Sequence, residues 1–168
     1  MYVAGWQNFF VIVSTAAGAL TGLMFVVIAL RREAISSAPV HGMRSFATPT
    51  IVHFTTVLGM AALLAMPRLT STAVGWILVI VGLVELAYMA WIIRNARRFE
   101  YASDVEDTVF HFILPPVAHA AILAAGILSW GNRSWSLYMV AGSLLTLLIV
   151  GIHNAWDSAV WFMRQPGR

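Results

Sequence analysis

The sequence has no cysteine and no lysine, and it has few charged residues of any kind. Without cysteine the chain can form neither a disulfide nor a sulfur-rich metal site, and it has no thiolate nucleophile. Without lysine it has neither a Schiff-base amine nor a lysine general base. Charged residues make up 10% of the chain, against about 25% in an ordinary soluble domain. With a 60% hydrophobic content, this deficit excludes a soluble domain and indicates a membrane protein.

The hydrophobic residues are gathered in five runs separated by short polar connections. The runs cover residues 6–30, 48–66, 73–93, 109–130 and 135–162. Each approaches or exceeds the roughly 20 residues that a helix needs to cross about 30 Å of hydrocarbon. A chain in lipid must pair its backbone polar groups internally, so the runs should be helices. We predict an all-α integral membrane protein, a single domain over residues 1–168 with a bundle of five transmembrane helices.

The arginines are distributed unevenly between the two sides of such a bundle. One side holds the connections after the first and third runs and the C-terminal tail, with Arg31, Arg32, Arg44, Arg94, Arg97, Arg98, Arg164 and Arg168. The other side holds Arg68 and Arg133. Arginine-rich connections stay in the cytoplasm, so we predict an external N-terminus and a cytoplasmic C-terminus. The net charge of +3 suits an anionic lipid surface and gives no reason to expect nucleic-acid binding.

The beginning of the chain is similar to a known group of proteins. Residues 6–10 (WQNFF) and 19–27 (ALTGLMFVV) resemble the start of small uncharacterised bacterial multi-pass inner-membrane proteins. The resemblance covers little more than the first helix. It implies a location in the bacterial inner membrane, and it implies no activity.

The first run also carries small residues at a spacing of four, Ser14, Gly18 and Gly22. Small residues on one stripe of a helix allow another helix to approach closely. We predict that the protein forms a homo-oligomer through this stripe. The alternative is that the stripe packs against another helix of the same subunit.

Six titratable residues fall within the predicted spans, where an ionisable side chain usually faces the bundle interior and marks function. They come from four of the five runs: His53, Glu85, His111, His119, His153 and Asp157. Counted from the predicted cytoplasmic helix ends at about 1.5 Å per residue, they form two layers. Glu85, His119 and His153 lie roughly 12–15 Å deep and should be close together inside the bundle. The other three lie roughly 3–8 Å deep.

Each layer contains two imidazoles and one carboxylate, which is a common ligand set for Fe, Mn and Zn. We predict that these residues bind a divalent transition metal (Fe, Cu, Zn or Mn) in the cytoplasmic half of the bundle. Haem, ligated by two histidines on facing helices, is less favoured. A redox role is compatible with such a site, and the sequence assigns no catalytic residue, so an enzymatic activity stays open.

Two other functions would use the same residues differently. An ion channel or proton-coupled transporter would conduct through them, and the Pro115-Pro116 break in the fourth run would help to line its pathway. A non-catalytic scaffold or partner subunit would use them only to hold helices together, for instance through a Glu85–His119 pair. For the residues near the predicted interface, His53 and His111, hydration is an equal alternative to ligation.

Overall fold

The computed structural model describes residues 2–30, 40–98 and 105–164, which are filled by five helices and contain no strand. Four of the helices are α1 (Gln7–Leu30), α2 (Val40–Leu64), α3 (Ser71–Arg98) and α5 (Ser136–Arg164). The remaining one, α4, begins as Val105–Asp107, continues as a π-helical segment, Thr108–Ile113, and ends as the α-helix Leu114–Trp130. The predicted all-α fold is confirmed.

The largest difference from the predicted boundaries concerns α2. This helix begins at Val40, eight residues before the predicted start at 48, and it contains Pro49 in its interior. Helices in membranes tolerate proline, so the residue does not mark the helix start as it often does in soluble proteins. The extension matters for the site, because it places His53 well inside the helix. Arg31, Arg32 and Arg168, which contribute to the predicted orientation, lie outside the described residues.

Four helices are long and apolar enough to cross a membrane, and this suggests a membrane protein. These segments are Gln7–Ala29, Ser71–Asn95, Thr108–Trp130 and Ser136–Val160, while α2 contributes a shorter apolar stretch, Pro49–Leu64. The outer surface agrees with that interpretation, because large apolar side chains such as Ile12, Val84 and Ile149 are 60–68% exposed. A contiguous apolar exterior of this kind is unfavourable in water and favourable against lipid tails.

Each helix packs mainly against one or two others, and these contacts form a closed series. The most extensive contacts join α3 to α4, α4 to α5, α5 to α2, and α2 to α1. A smaller contact between α2 and α3 closes a ring of four helices, and α1 lies on its outside against α2 and α5. The ring has an apolar centre that includes Leu78, Ile122, Leu144 and Leu147, all without exposed surface. Any polar group in this centre is therefore removed from both lipid and bulk water.

Glycines set the register of α3 against α4. A Cβ added to Gly126 would lie 2.9 Å from the backbone N of Val79, and one added to Gly82 would lie 2.9 Å from Cβ of Leu123. The two helix backbones therefore touch, as small residues allow in membrane proteins. Helices α3 and α4 run antiparallel, and the two contacts are three residues apart on each helix. The next step along the same register brings Glu85 of α3 level with Ala120 of α4, the neighbour of His119.

A similar contact fixes α5 against α2. A Cβ added to Gly151 would collide with the ring of Phe54, which is fully buried. Because α2 and α5 run antiparallel, this contact defines which residues of the two helices lie at the same level. Phe54 precedes the end of α2 at Leu64 by ten residues.

One end of the bundle carries the two short loops, 65–70 and 131–135, and is called the short-loop end below. The N-terminal segment is attached there. The Tyr2 hydroxyl donates to the carbonyl of Arg133 at 2.7 Å and lies 2.7 Å from Oγ of Ser136, and Val3 is fully buried. Asn132, inside the second loop, has a φ of 53°, a left-handed conformation that asparagine tolerates better than most residues. The other end, with the C-terminus of α5, is called the opposite end.

The small-residue stripe of α1 divides between two environments. A Cβ added to Gly18 would lie 3.7 Å from Cδ1 of Leu58 in α2, so this position packs within the subunit. A Cβ added to Gly22 would meet nothing within 4 Å, and Ser14 is half-buried with its hydroxyl donating to the carbonyl of Val11. Only the Gly22 part of the stripe is thus available for a second subunit.

The proline pair of α4 coincides with the change from π-helix to α-helix. Pro115 and Pro116 occupy the first turn of Leu114–Trp130, directly after the π-helical segment Thr108–Ile113. A proline ring in an α-helix meets the carbonyl of the preceding turn, and a π-helical turn is wider. The helix therefore continues across the prolines instead of ending. His111 lies in the widened segment, and His119 lies in the regular one.

Candidate functional site

A buried polar cluster lies in the centre of the four-helix ring. Its members, called the core cluster, are His53 and Thr56 of α2, Glu85 of α3 and His119 of α4. His119 Nε2 lies 3.9 Å from Glu85 Oε2, and the Thr56 hydroxyl donates to Glu85 Oε1 at 2.6 Å. The imidazole centroids of His53 and His119 are 5.9 Å apart. Three helices thus contribute to one group of side chains.

The core cluster is buried and incompletely paired. His119 has no exposed surface, His53 is 1% exposed and Glu85 is 9% exposed. Among the described residues, both nitrogens of His119, Nδ1 of His53 and Oε2 of Glu85 have no hydrogen-bond partner. Buried polar atoms without partners cost free energy and are usually satisfied by water or a ligand. The cluster therefore has the character of a binding site for something small and polar.

The spacing of the cluster can be compared with the requirements of a metal ion. Nitrogen and oxygen ligands bind zinc at about 2.0–2.2 Å, so two donors on one ion lie at most roughly 4 Å apart. The 3.9 Å between His119 and Glu85 is at the upper end of that range. Within residues 2–30, 40–98 and 105–164, no three histidine, aspartate or glutamate side chains converge closely enough to hold an ion as they stand. A three-ligand site would require a side-chain movement that brings His53 inward.

A second polar group lies towards the opposite end and is called the mouth cluster. It consists of His153 and Asp157 on α5 and Glu106 at the start of α4. His153 Nε2 lies 3.0 Å from Asp157 Oδ2, without hydrogen-bond alignment, and 3.7 Å from Glu106 Oε1. The imidazole stacks on the ring of Phe110 with a centroid distance of 3.8 Å. The two carboxylate side chains are 46% and 68% exposed, so this cluster reaches the surface.

The structure divides the six predicted residues differently from the two predicted layers. Glu85 and His119 are adjacent as predicted, but His53 joins them in place of His153. His153 stacks on Phe110 and lies close to Glu106 and Asp157. Among the described residues no ion pair or hydrogen bond joins it to Glu85 or His119, so the predicted grouping of Glu85, His119 and His153 is not assembled in its third member. His53 takes that place because α2 begins at Val40, which puts His53 deeper than a helix beginning at residue 48 would.

The two remaining predicted residues lie on the side of the mouth cluster. Asp157 belongs to that cluster by its contact with His153. His111 is half-buried in the π-helical segment, next to the Phe110 on which His153 stacks. Along α4 it therefore lies between the mouth cluster and His119.

Three polar residues of these regions were not predicted as site residues from the sequence. Thr56 follows His53 by three positions on one helix, a spacing that places both side chains on the same face and could have identified it. Glu106 precedes the apolar part of α4, where an acidic residue is ordinarily interpreted as favouring the helix dipole. Asn154 is 2% exposed with neither amide atom paired among the described residues. The sequence places Asn154 deep in the fifth hydrophobic run, and this position could have identified it.

Because the chain's function must be inferred from this geometry, similarity to other proteins is relevant. Comparison with protein-family models, curated proteins and solved structures found no match to the chain.

Proposed function

We propose that the protein binds a divalent transition metal inside the membrane, at His53, Glu85 and His119. Two imidazoles and one carboxylate are a ligand set that Fe, Mn and Zn accept. The carboxylate is already oriented by the Thr56 hydroxyl at 2.6 Å, and such an outer partner is typical of metal-ligating groups. The ion would pair Nε2 of His119 and Oε2 of Glu85, which are otherwise unpaired, and supply a positive charge next to the carboxylate.

The single observation that carries this proposal is the state of His119. The side chain is fully buried, and neither of its nitrogens has a partner among the described residues. A simple Glu85–His119 pair explains this less well, because 3.9 Å is too long for a hydrogen bond. Binding of an ion draws Nε2 and Oε2 together and requires a shift of only a few tenths of an ångström between them, given ligand bonds of about 2 Å.

The proposal predicts metal in the purified wild-type protein. Protein extracted in mild detergent without chelator should contain about one Fe, Cu, Zn or Mn ion per chain by elemental analysis, as expected for one three-ligand site. Protein stripped with chelator should take up the same amount from a buffered solution of the ion. An absorption spectrum of the same sample distinguishes haem from a bare ion. Protein that is free of all four metals, and that stays free on reloading, would refute the metal site.

A second candidate function is proton or ion conduction through the same residues. The observation that favours it is the presence of titratable groups from the core cluster to the mouth cluster, where Asp157 is 46% exposed, with His111 beside the Phe110 ring that stacks on His153. A series of this kind is typical of proton relays in pumps and transporters. Reconstituted vesicles with a pH gradient and a trapped pH-sensitive dye would report such a flux. A flux that persists in metal-free protein would favour this candidate over the first.

We further propose that all five helices cross the bacterial inner membrane, with the short-loop end outside and the opposite end in the cytoplasm. The arginine distribution supports the orientation, and α2 reaches a spanning length when residues 40–48 are included. A single cysteine introduced at Asn132, in a chain that has no other, should react with an impermeant thiol reagent added to intact spheroplasts. A cysteine that reacts only in inverted vesicles would show the reverse orientation.

We also propose that a second copy of the chain contacts α1 at Gly22. This position is exposed, and an added Cβ there would meet nothing within the subunit. Gly22→Leu should therefore leave the fold unchanged and reduce the crosslinked dimer seen in native membranes. Gly142→Leu, at another open glycine position, serves as the matched control. Unchanged crosslinking in the Gly22 variant, or wild-type protein that yields only monomer, would contradict the proposal.

A further inference from the structure

The amide of Asn154 is a buried polar group that the core cluster does not account for. The residue is 2% exposed, and neither the amide oxygen nor the amide nitrogen has a partner among the described residues. A buried amide needs a hydrogen-bond partner for its oxygen and another for its nitrogen, and buried water often supplies such partners in proteins. Its position in the bundle decides what that water connects.

The packing of α5 on α2 gives that position. Gly151 of α5 lies against the Phe54 ring of α2, and His53 is the neighbour of Phe54. One turn further towards the opposite end on each helix are Asn154 and Thr50, both buried. Asn154 is therefore about one turn, roughly 5.4 Å, from the level of the core cluster. It faces α2 rather than lipid, because it lies on the same stripe of α5 as Gly151.

Beyond Asn154, polar groups continue to the surface. Its own carbonyl accepts a hydrogen bond of 2.8 Å from the hydroxyl of Ser158, which is half-buried one turn on. His153, the preceding residue, belongs to the mouth cluster, whose Asp157 and Glu106 carboxylates are exposed. Polar side chains thus occur at each helical turn between the core cluster and the opposite end. Towards the short-loop end the next positions on this stripe are apolar, with Leu147 and Leu144 fully buried, and the buried hydroxyl of Ser143 follows them.

We propose that Asn154 lines a hydrated passage through which small cations reach the core cluster from the opposite end of the bundle. The inference rests on the proposed metal site. The passage supplies the route by which a hydrated ion enters that site, which is closed at the short-loop end of the bundle. The carboxylates of the mouth cluster select for positive charge, since a narrow opening lined by one sign of charge concentrates the opposite ion. The amide donates to and accepts from the water molecules that accompany the ion.

The absence of cysteine from the chain makes a direct test of this passage available. Single-cysteine proteins carrying Asn154→Cys are reconstituted in vesicles and treated with a quaternary-ammonium methanethiosulfonate in metal-free buffer. A thiol reacts as its thiolate, which forms in water and not in a dry apolar core. We expect Asn154→Cys to react at least about tenfold faster than a thiol in a dry position. A negatively charged methanethiosulfonate of similar size should react roughly tenfold more slowly than the cationic one.

Two matched controls lie on the same helix. Val150→Cys introduces a thiol at a position that is also fully buried, one turn nearer the short-loop end, and Ile152→Cys introduces one at an apolar position that is 45% exposed. Neither should react at an appreciable rate with the hydrophilic reagent. Asn154→Cys that reacts no faster than Val150→Cys would overturn the passage, and so would equal rates for the cationic and anionic reagents.

A second variant covers the case in which Asn154→Cys does not fold. Thr50→Cys places the thiol on the facing helix at the same level, and it should react at a comparable rate; an inert Thr50→Cys overturns the passage as well. The outcome is independent of the metal site, because labelling is carried out without metal. Reactive cysteines in a protein that never binds metal would retain the passage and reject the site. Stoichiometric metal with inert cysteines would retain the site and reject the passage.

Discussion

Replacement of His119 by alanine is expected to weaken metal binding by more than about 100-fold, since loss of a direct ligand should exceed the 10–100-fold cost of losing an outer partner. Stoichiometric metal in the purified wild type should then be absent from the variant under the same conditions. Glu85→Gln should have a similar effect, because the amide keeps the shape of the side chain and loses the charge that binds a cation. His41→Ala is the matched control, since it removes a histidine that none of the predicted layers includes.

The hydrogen bond from Thr56 to Glu85 provides a finer version of the same experiment. Thr56→Val keeps the shape of the side chain and removes the 2.6 Å contact. If Glu85 is a ligand, the variant should bind metal 10–100-fold more weakly, as observed generally for outer partners of metal ligands. A purely structural role for the pair predicts lower thermal stability and no dependence on metal.

Equal metal content in the wild type and in His119→Ala would exclude His119 as a ligand.

Introduction of a valine at Gly126 should produce a large loss of stability. Its Cβ would lie 2.9 Å from Val79 N and 2.9 Å from Val79 Cγ2, so the backbones of α3 and α4 would have to separate. Overpacking at a tight contact costs about 1–3 kcal/mol and sometimes more. We expect a reduced thermal midpoint in detergent, measured by circular dichroism.

The same variant should also disturb the core cluster. The register of α3 on α4 runs from the Gly126–Val79 contact through Gly82 to the Glu85–His119 pair, so helices that separate at one point separate at the others. Metal content should fall along with stability. Gly59→Ala is the control, because an added Cβ there meets nothing within 4 Å and alanine is the better helix former. A Gly126 variant as stable as Gly59→Ala would contradict the backbone contact between α3 and α4.

The sequence predicts the helices well because hydrocarbon imposes a strong pattern on composition. It predicts the site less well, because depth in a bundle depends on where counting begins. The predicted cytoplasmic ends are a poor reference for depth, because α2 begins eight residues earlier than 48 and α5 ends at Arg164. An error of eight residues corresponds to about 12 Å, which exceeds the separation between the two predicted layers.

Counting from the short-loop end gives the observed arrangement. His53 precedes the end of α2 by eleven residues, His119 precedes the end of α4 by eleven, and Glu85 follows the start of α3 by fourteen. The corresponding count for His153, from the start of α5, is seventeen. Short loops fix helix ends closely, because a chain of five or six residues leaves little freedom. The similar level of His53, Glu85 and His119 was therefore predictable from the sequence, whereas the separation of His153, only three residues beyond Glu85 in this count, and the unpaired amide of Asn154 depend on three-dimensional packing.

The π-helical segment Thr108–Ile113 has a consequence for how this chain can change by insertion and deletion. A π-helical turn contains about one residue more than an α-helical turn, so it behaves as a one-residue insertion absorbed inside a continuous helix. Deletion of one residue there would rotate everything before it by about 100° relative to everything after it. Glu106 would swing away from His153, while His119 and the rest of α4 would stay in place. Single-residue length variation at this segment would therefore open or close the charged mouth without touching the buried histidines.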